Sequence, residues 1–309
     1  MTIDTTTPEL GAEQRRFLQH QTELLRHYGV VGRDRFVTIS DPPLQVHLIE
    51  AGEGPPLVLF HGGDGEGANF AALMAELQGR FHCIAVDRPG NGLSQSLDYR
   101  HVDLRRHASG FVTSVLDVLG LQQATLVGGS MGGFFALATA LDRPERVRDV
   151  VLLGMPVGVS RAGPLALRVI GAVPGLARRF MGRVGTIEGQ HDQYRKMFHT
   201  DPSLLPGAHF ETRLASQRLG AAETWATMLP RLVGLRGMRP EVLLVDDLPK
   251  ISQRVLMVWP EHDMAPVSAG EAACAAIPRG SFVLLPGVGH FPYMEVPERT
   301  AELMAGFLT

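Results

Sequence analysis

Six short apolar runs recur along the chain with helix-length segments between them: LVLF at 57, HCIAVD at 82, ATLVGG at 124, VRDVVLLG at 147, RVLMVW at 254 and SFVLLP at 281. Runs that are apolar throughout, rather than alternating, belong to strands covered on both faces, and the long connections leave room for crossover helices. The pattern predicts an α/β fold on a mostly parallel central sheet flanked by helices. Two further runs, RFVTIS and LQVHLIE, are joined through DPP and predict a hairpin at the sheet edge. Ahead of them Leu10, Phe17, Leu24 and Leu25 recur at roughly helical spacing among Gln, Glu and Arg, which predicts an amphipathic helix from Pro8 to about Tyr28. Between Pro156 and Asp247 the alternation stops, and RAGPLALRVIGAVPGLARRFMGRV with the stretch from Tyr194 to Leu235 reads as helix and loop. The expected organisation is a helical extension over 1–34, a core made of 35–155 and 248–309, and an inserted helical unit over 156–247.

Composition narrows the function. At 309 residues and 45% hydrophobic the chain can bury a sizeable core, and a net charge of -3 supplies no field for gripping nucleic acid or an anionic membrane. Cys83 and Cys274 are the only cysteines, too few for a disulfide framework or a four-thiolate metal site, so no metal is expected. The N-terminus lacks a basic start followed by an apolar core and a small-residue cleavage site. A soluble, cytoplasmic protein is expected, with a small molecule as its partner; pairing of two subunits into a homodimer is left open.

The chemistry gathers around one turn. Gly128-Gly129-Ser130-Met131-Gly132 satisfies G-x-S-x-G directly after a predicted strand and before the helix-like FFALATAL, the context in which a sharp turn lifts a serine Oγ to the carboxyl edge of a sheet. A neutral serine needs a base and a group to orient that base. His290, in PGVGHFPYMEVPE after the last predicted strand, is the best base among twelve histidines; His20, His27, His101 and His107 fall on helix-like segments and read as solvated surface residues. Asp263, following the strand that ends at Trp259, is favoured over Glu261 as the residue that orients it. Gly63, after LVLF, and Met131 are the candidate backbone N–H donors to an oxyanion. Asp64 and Glu66 in the same loop read first as caps of the next helix, and second as a carboxylate facing a cationic group of the substrate.

Taken in order, HGGDGEGANF, DRPGNGLS, GGSMGG and GVGHFPY resemble the α/β-hydrolase fold superfamily over essentially the whole chain. The resemblance implies that the insert is a cap subdomain roofing the site after the sixth strand, and that no cofactor is required. A serine at the elbow disfavours the superfamily's dehalogenases and epoxide hydrolases, which use aspartate there. The expected activity is that of a serine hydrolase cleaving carboxylic esters of small or medium acyl groups; Leu165, Leu167, Val169, Ile170, Val173, Leu176, Phe180 and Met181 read either as residues that only pack the cap onto the core or as an apolar underside of the cap facing substrate. Two alternatives stand beside it. HGGDGEGANF, GGSMGG and FETRLASQR are similar to hydrolases that cleave carbon–carbon bonds in ring-fission products, with Arg213 at their cap arginine and Phe291 where they usually have tryptophan. Both residues are candidates for contact with substrate. A slow-turnover ligand receptor of the same fold is the other alternative.

Overall fold

Each of the six apolar runs forms a strand, and alternate residues of each run enter two different cores. The fold is described by a computed structural model, for residues 8–173 and 175–309. Val58 and Phe60, Leu126, Val150 and Leu152, Val255 and Met257 pack on one face of the sheet; Leu57 and Leu59, Val127, Val151 and Leu153, Leu256 and Val258 pack on the other. That division is why the runs carry no polar alternation.

The strands are β1 (Gly32–Ser40), β2 (Pro43–Ala51), β3 (Pro56–Phe60), β4 (His82–Val86), β5 (Ala124–Gly129), β6 (Val147–Leu153), a two-stranded ribbon of β7 (Val233–Gly234) and β8 (Gly237–Met238), then β9 (Arg254–Pro260) and β10 (Gly280–Leu285). The main sheet has the order β1-β2-β4-β3-β5-β6-β9-β10. β1 and β2 form the expected edge hairpin, β2 runs antiparallel to β4, and the remaining pairs are parallel. The hairpin opens at Gly32, paired with Ala51, so the core begins three residues before the expected boundary.

The helices are α1 (Ala12–Tyr28), α2 (Ala71–Leu77), α3 (Leu104–Val118), α4 (Met131–Asp142), α5 (Leu165–Ala172), α6 (Leu176–Arg183), α7 (Ile187–Gln193), α8 (Gly207–Ser216), α9 (Ala222–Leu232), α10 (Val267–Ala275), α11 (Pro292–Glu295) and α12 (Pro297–Leu308). α3, α4 and α10 share one core with the sheet, and α2 and α12 share the other. α1 starts at Ala12 rather than Pro8, because Gly11 is extended and the Gln14 side chain accepts its N–H at 2.9 Å. It docks on α8 and α2, with Phe17 buried against Phe36, Leu93 and Ala215.

β3 is followed by β4 on one side of it, whereas β5 lies on its other side. Chain connections therefore part between β3 and β5, the place where an open α/β sheet leaves a crevice at its carboxyl edge. Phe60 at the end of β3 pairs with Gly128 of β5, which sets the loop after one strand against the turn after the other. No helix among the described residues is long and apolar enough to cross a membrane.

Candidate active site

Ser130 sits between β5 and α4 with φ 51° and ψ -109°, a strained backbone for a residue with a side chain. Its neighbours show why the turn is glycine-rich. A Cβ on Gly132 would lie 1.8 Å from the Phe60 carbonyl oxygen, and one on Gly128 would lie 2.4 Å from the Gly132 backbone. The turn folds onto the end of β3 only if those side chains are missing, and the fold lifts a partly exposed Ser130 into the crevice.

His290 follows β10 and Asp263 follows β9. The imidazole Nδ1–H donates to Asp263 Oδ1 at 2.6 Å, and the same oxygen accepts Met264 N–H at 2.6 Å. Asp263 Oδ2 accepts Met155 N–H, from the loop after β6, at 2.7 Å. Three donors thus fix the carboxylate, which fixes the tautomer that leaves Nε2 free as a base. Glu261, the rival, points elsewhere and accepts the Gly287 N–H. Ser130 and His290 line the same cavity, with no hydrogen bond between Ser130 Oγ and the imidazole.

The N–H groups of Gly63 and Met131 donate to no acceptor among the described residues. Met131 is the first residue of α4, where the helix dipole favours negative charge. The loop that carries Gly63 is held from behind. Arg88, fully buried, donates through Nε to His61 O at 3.1 Å and through Nη2 to Gly62 O and Gly63 O, both at 2.6 Å. His61 completes the clamp: its Nδ1–H donates to Gly62 O at 2.8 Å and its Nε2 accepts Arg88 N–H at 2.9 Å. Burial, with the Arg88 charge beside it, holds His61 well below the usual histidine range, so it stays neutral. With the carbonyls turned to Arg88, the loop is held in place behind the cavity that Gly63 lines.

Ser130, His290 and the Gly63 loop open into one cavity between the sheet edge and the helical insert. Ser130, His290, Gly63, Arg213 and Phe291 all line it. A profile of the alpha/beta hydrolase family matches residues 57–303. The chain belongs to that family. It is 32% identical to a 2-hydroxymuconate semialdehyde hydrolase of Pseudomonas putida over 276 residues, 85% of this chain and 90% of that one. It is 28% identical to a pimeloyl-[acyl-carrier protein] methyl ester esterase of Nitrosomonas europaea, over 82% of this chain and 96% of that one. In fold it matches the carboxylesterase CesB of Bacillus subtilis with a TM-score of 0.74 at 23% identity, over 96% of this chain and 99% of that one.

In this alpha/beta hydrolase the insert does more than lie over the crevice. A π-helical turn, Tyr194–Phe198, ends at His199 with φ 55°, and the loop carrying His290 is seated on it. His290 N–H donates to Phe198 O at 2.8 Å, and the two rings stack at 5.5 Å. Glu295 holds the same loop from the other side, accepting Gly289 N–H at 3.1 Å and Phe291 N–H at 3.2 Å. Neither contact has a signature in the sequence, although π-turns are often found at functional sites.

Several expectations need correction. Neither Asp64 nor Glu66 caps a helix with its side chain: Asp64 accepts from the Arg213 guanidinium, and Glu66 is buried with no capping bond. His107 is not a surface residue. It is buried among Tyr99, Phe111 and Phe135, and burial pulls it down to about 4. Of the expected underside, Leu167 lines the cavity and Met181 is buried, but Leu165, Val169 and Val173 point to solvent, so α5 turns one apolar stripe outward.

Proposed function

We propose that the chain is a serine hydrolase that cleaves carboxylic esters of small, largely apolar substrates. The observation that carries this reading is the opening of one nucleophile, one oriented base and the Gly63 loop into a single cavity, with the unengaged Met131 N–H directly after the nucleophile. Its remaining walls include Met155, Val157, Leu167, Leu229, Leu232 and Val233. His290 Nε2 takes the Ser130 Oγ proton as Oγ attacks the ester carbonyl carbon. Gly63 and Met131 N–H groups receive the oxyanion, and His290 returns the proton to the departing alcohol. Water then repeats the sequence on the acyl-enzyme. Asp263 stays ionised and holds the imidazolium that forms in each half. No step needs a cofactor. The esterase from Nitrosomonas europaea supports the ester reading.

A second reading is hydrolysis of a carbon–carbon bond next to a carbonyl. It is favoured by the similarity to the 2-hydroxymuconate semialdehyde hydrolase and by the presence of Arg213 in the cavity. The two readings share Ser130, His290 and Asp263. Steady-state turnover on p-nitrophenyl esters of increasing acyl length, beside a vinylogous diketone of the ring-fission type, separates them, with Ser130→Ala as the blank. Rapid Ser130-dependent ester turnover with a chain-length optimum is expected. Preference for the diketone, abolished by Arg213→Ala, would install the second reading; a single slow turnover on both would point to a ligand receptor.

A further inference from the structure

Arg213 lies 2% exposed on α8, facing the cavity, and is already engaged. Its Nη2 donates to Asp64 Oδ2 and, at 2.6 Å, to Gln193 Oε1, while Nη1 has no partner among the described residues. The guanidinium also lies over the Tyr194 ring at 5.3 Å. Asp64, 7% exposed, comes directly after the oxyanion-loop residue Gly63 and lines the cavity with Asn69, Gln193 and Arg213. The cavity thus has one polar end, where, among the described residues, its one carboxylate and its one guanidinium are paired with each other.

We propose that Asp64 is a specificity residue: by occupying Arg213 it confines the enzyme to substrates whose arm at this end of the cavity is uncharged, and excludes those carrying a carboxylate there. The inference rests on the hydrolase reading above and names its substrate class. A carboxylate brought to Arg213 would enter a nearly dry site beside an existing carboxylate. It would share one cation and leave a net negative charge buried, an unfavourable arrangement unless a proton is taken up. An uncharged acceptor, such as a ketone, ester, amide or ether oxygen, meets no such opposition and can accept the unused Nη1–H. The surrounding groups do not alter this balance. Burial drives Glu66 well above the usual carboxylate range, which disfavours its charged form, and His209, bonded to the Tyr194 hydroxyl at 2.7 Å, is pulled down to about 3 by burial and by Arg213.

Binding to the Ser130→Ala chain, followed by calorimetry at neutral pH, tests this without any requirement for turnover. The probes are 4-phenylbutanamide and 4-phenylbutanoate, matched in shape and differing in charge. The amide is expected to bind at least about tenfold more tightly than the carboxylate. Asp64→Asn, nearly isosteric, is expected to shift that ratio toward the carboxylate by about a hundredfold, and adding Arg213→Met is expected to remove the gain. Equal binding of the two probes without Asp64→Asn, or a ratio that Asp64→Asn leaves unmoved, overturns the proposal. Should Asp64→Asn not fold, the amide-to-carboxylate ratio of the parent decides alone. Ester turnover by the native chain is measured separately, so failure of the ester reading and failure of the charge rule give different results.

Discussion

The Nη2 of Arg88 stands 2.6 Å from the carbonyl oxygen of Gly63, which lines the cavity together with Ser130. The contact joins DRPGNGLS to HGGDGEGANF across 25 positions. Arg88 is buried with carbonyl oxygens rather than a carboxylate as its partners, and although burial lowers it to about 10 it remains charged at neutral pH. If Gly63 N–H receives the oxyanion as proposed above, the Arg88 charge polarises the Gly62–Gly63 peptide unit that presents it. Arg88→Lys keeps a cation but cannot reach three carbonyls in one plane. The expected result is a kcat loss of about 10²-fold with KM nearly unchanged, because the interaction matters most once the oxyanion forms. A rise in KM at constant kcat would show that Arg88 shapes substrate binding instead.

Asp263→Asn is expected to lower kcat on the order of 10³–10⁴-fold while leaving ester binding nearly intact. Asp263 receives N–H groups from His290, Met155 and Met264, and an amide offers only one acceptor oxygen to the three. One orientation sets an NH2 against Met155 N–H; the other sets it against the imidazole and reverses the tautomer. Steady-state kinetics on a p-nitrophenyl ester check the loss. The parallel Glu261→Gln substitution, beyond reach of His290, should change kcat less than about twofold.

Gly132→Ala tests why the elbow is glycine-rich. The added methyl would fall 1.8 Å from a backbone oxygen at the end of β3, where nothing flexible can give way. A loss of more than about 3 kcal/mol in denaturant unfolding is expected, whereas Gly306→Ala, on α12 with open space around it, should be neutral or mildly stabilising.

The parts of the site that lie on strand ends were legible in the sequence, because a run of apolar residues fixes where a strand stops and the next residues must then stand at the sheet edge. Ser130, Asp263 and His290 follow β5, β9 and β10 in that way, and the glycines around Ser130 announce a close approach before its partner is known. What could not be read were contacts between residues distant in sequence. Asp64 meets Arg213 across 149 positions, and no local pattern distinguishes a carboxylate that caps a helix from one that pairs with a buried arginine. The outward stripe of Leu165, Val169 and Val173 shows the same limit from the other side. Helical periodicity shows that a face is apolar but not what it faces.

His47 carries the last prediction, a pH dependence of stability. Its side chain is fully buried on β2, Nδ1 donating to Asp87 Oδ2 at 2.7 Å and Nε2 to Asp34 Oδ1 at 2.8 Å. Asp87 also accepts Gly67 N–H and Leu93 N–H, and Asp34 accepts the Gln21 side-chain amide of α1. The histidine thus ties the leading helix, the edge hairpin and the loop after β4 together. Burial opposes its charge, but the two carboxylates outweigh burial and raise it to about 9 from an ordinary 6.5. The folded state therefore holds a proton that the unfolded chain releases above pH 6.5, and the stabilisation is full below that pH and lost as pH rises through about 9. Unfolding free energy from denaturant titration is expected to fall by up to about 3 kcal/mol across this window. His47→Gln, which keeps a hydrogen-bond donor without the titrating charge, should start lower at pH 6 and flatten that slope; an unchanged slope would place the dependence on other groups.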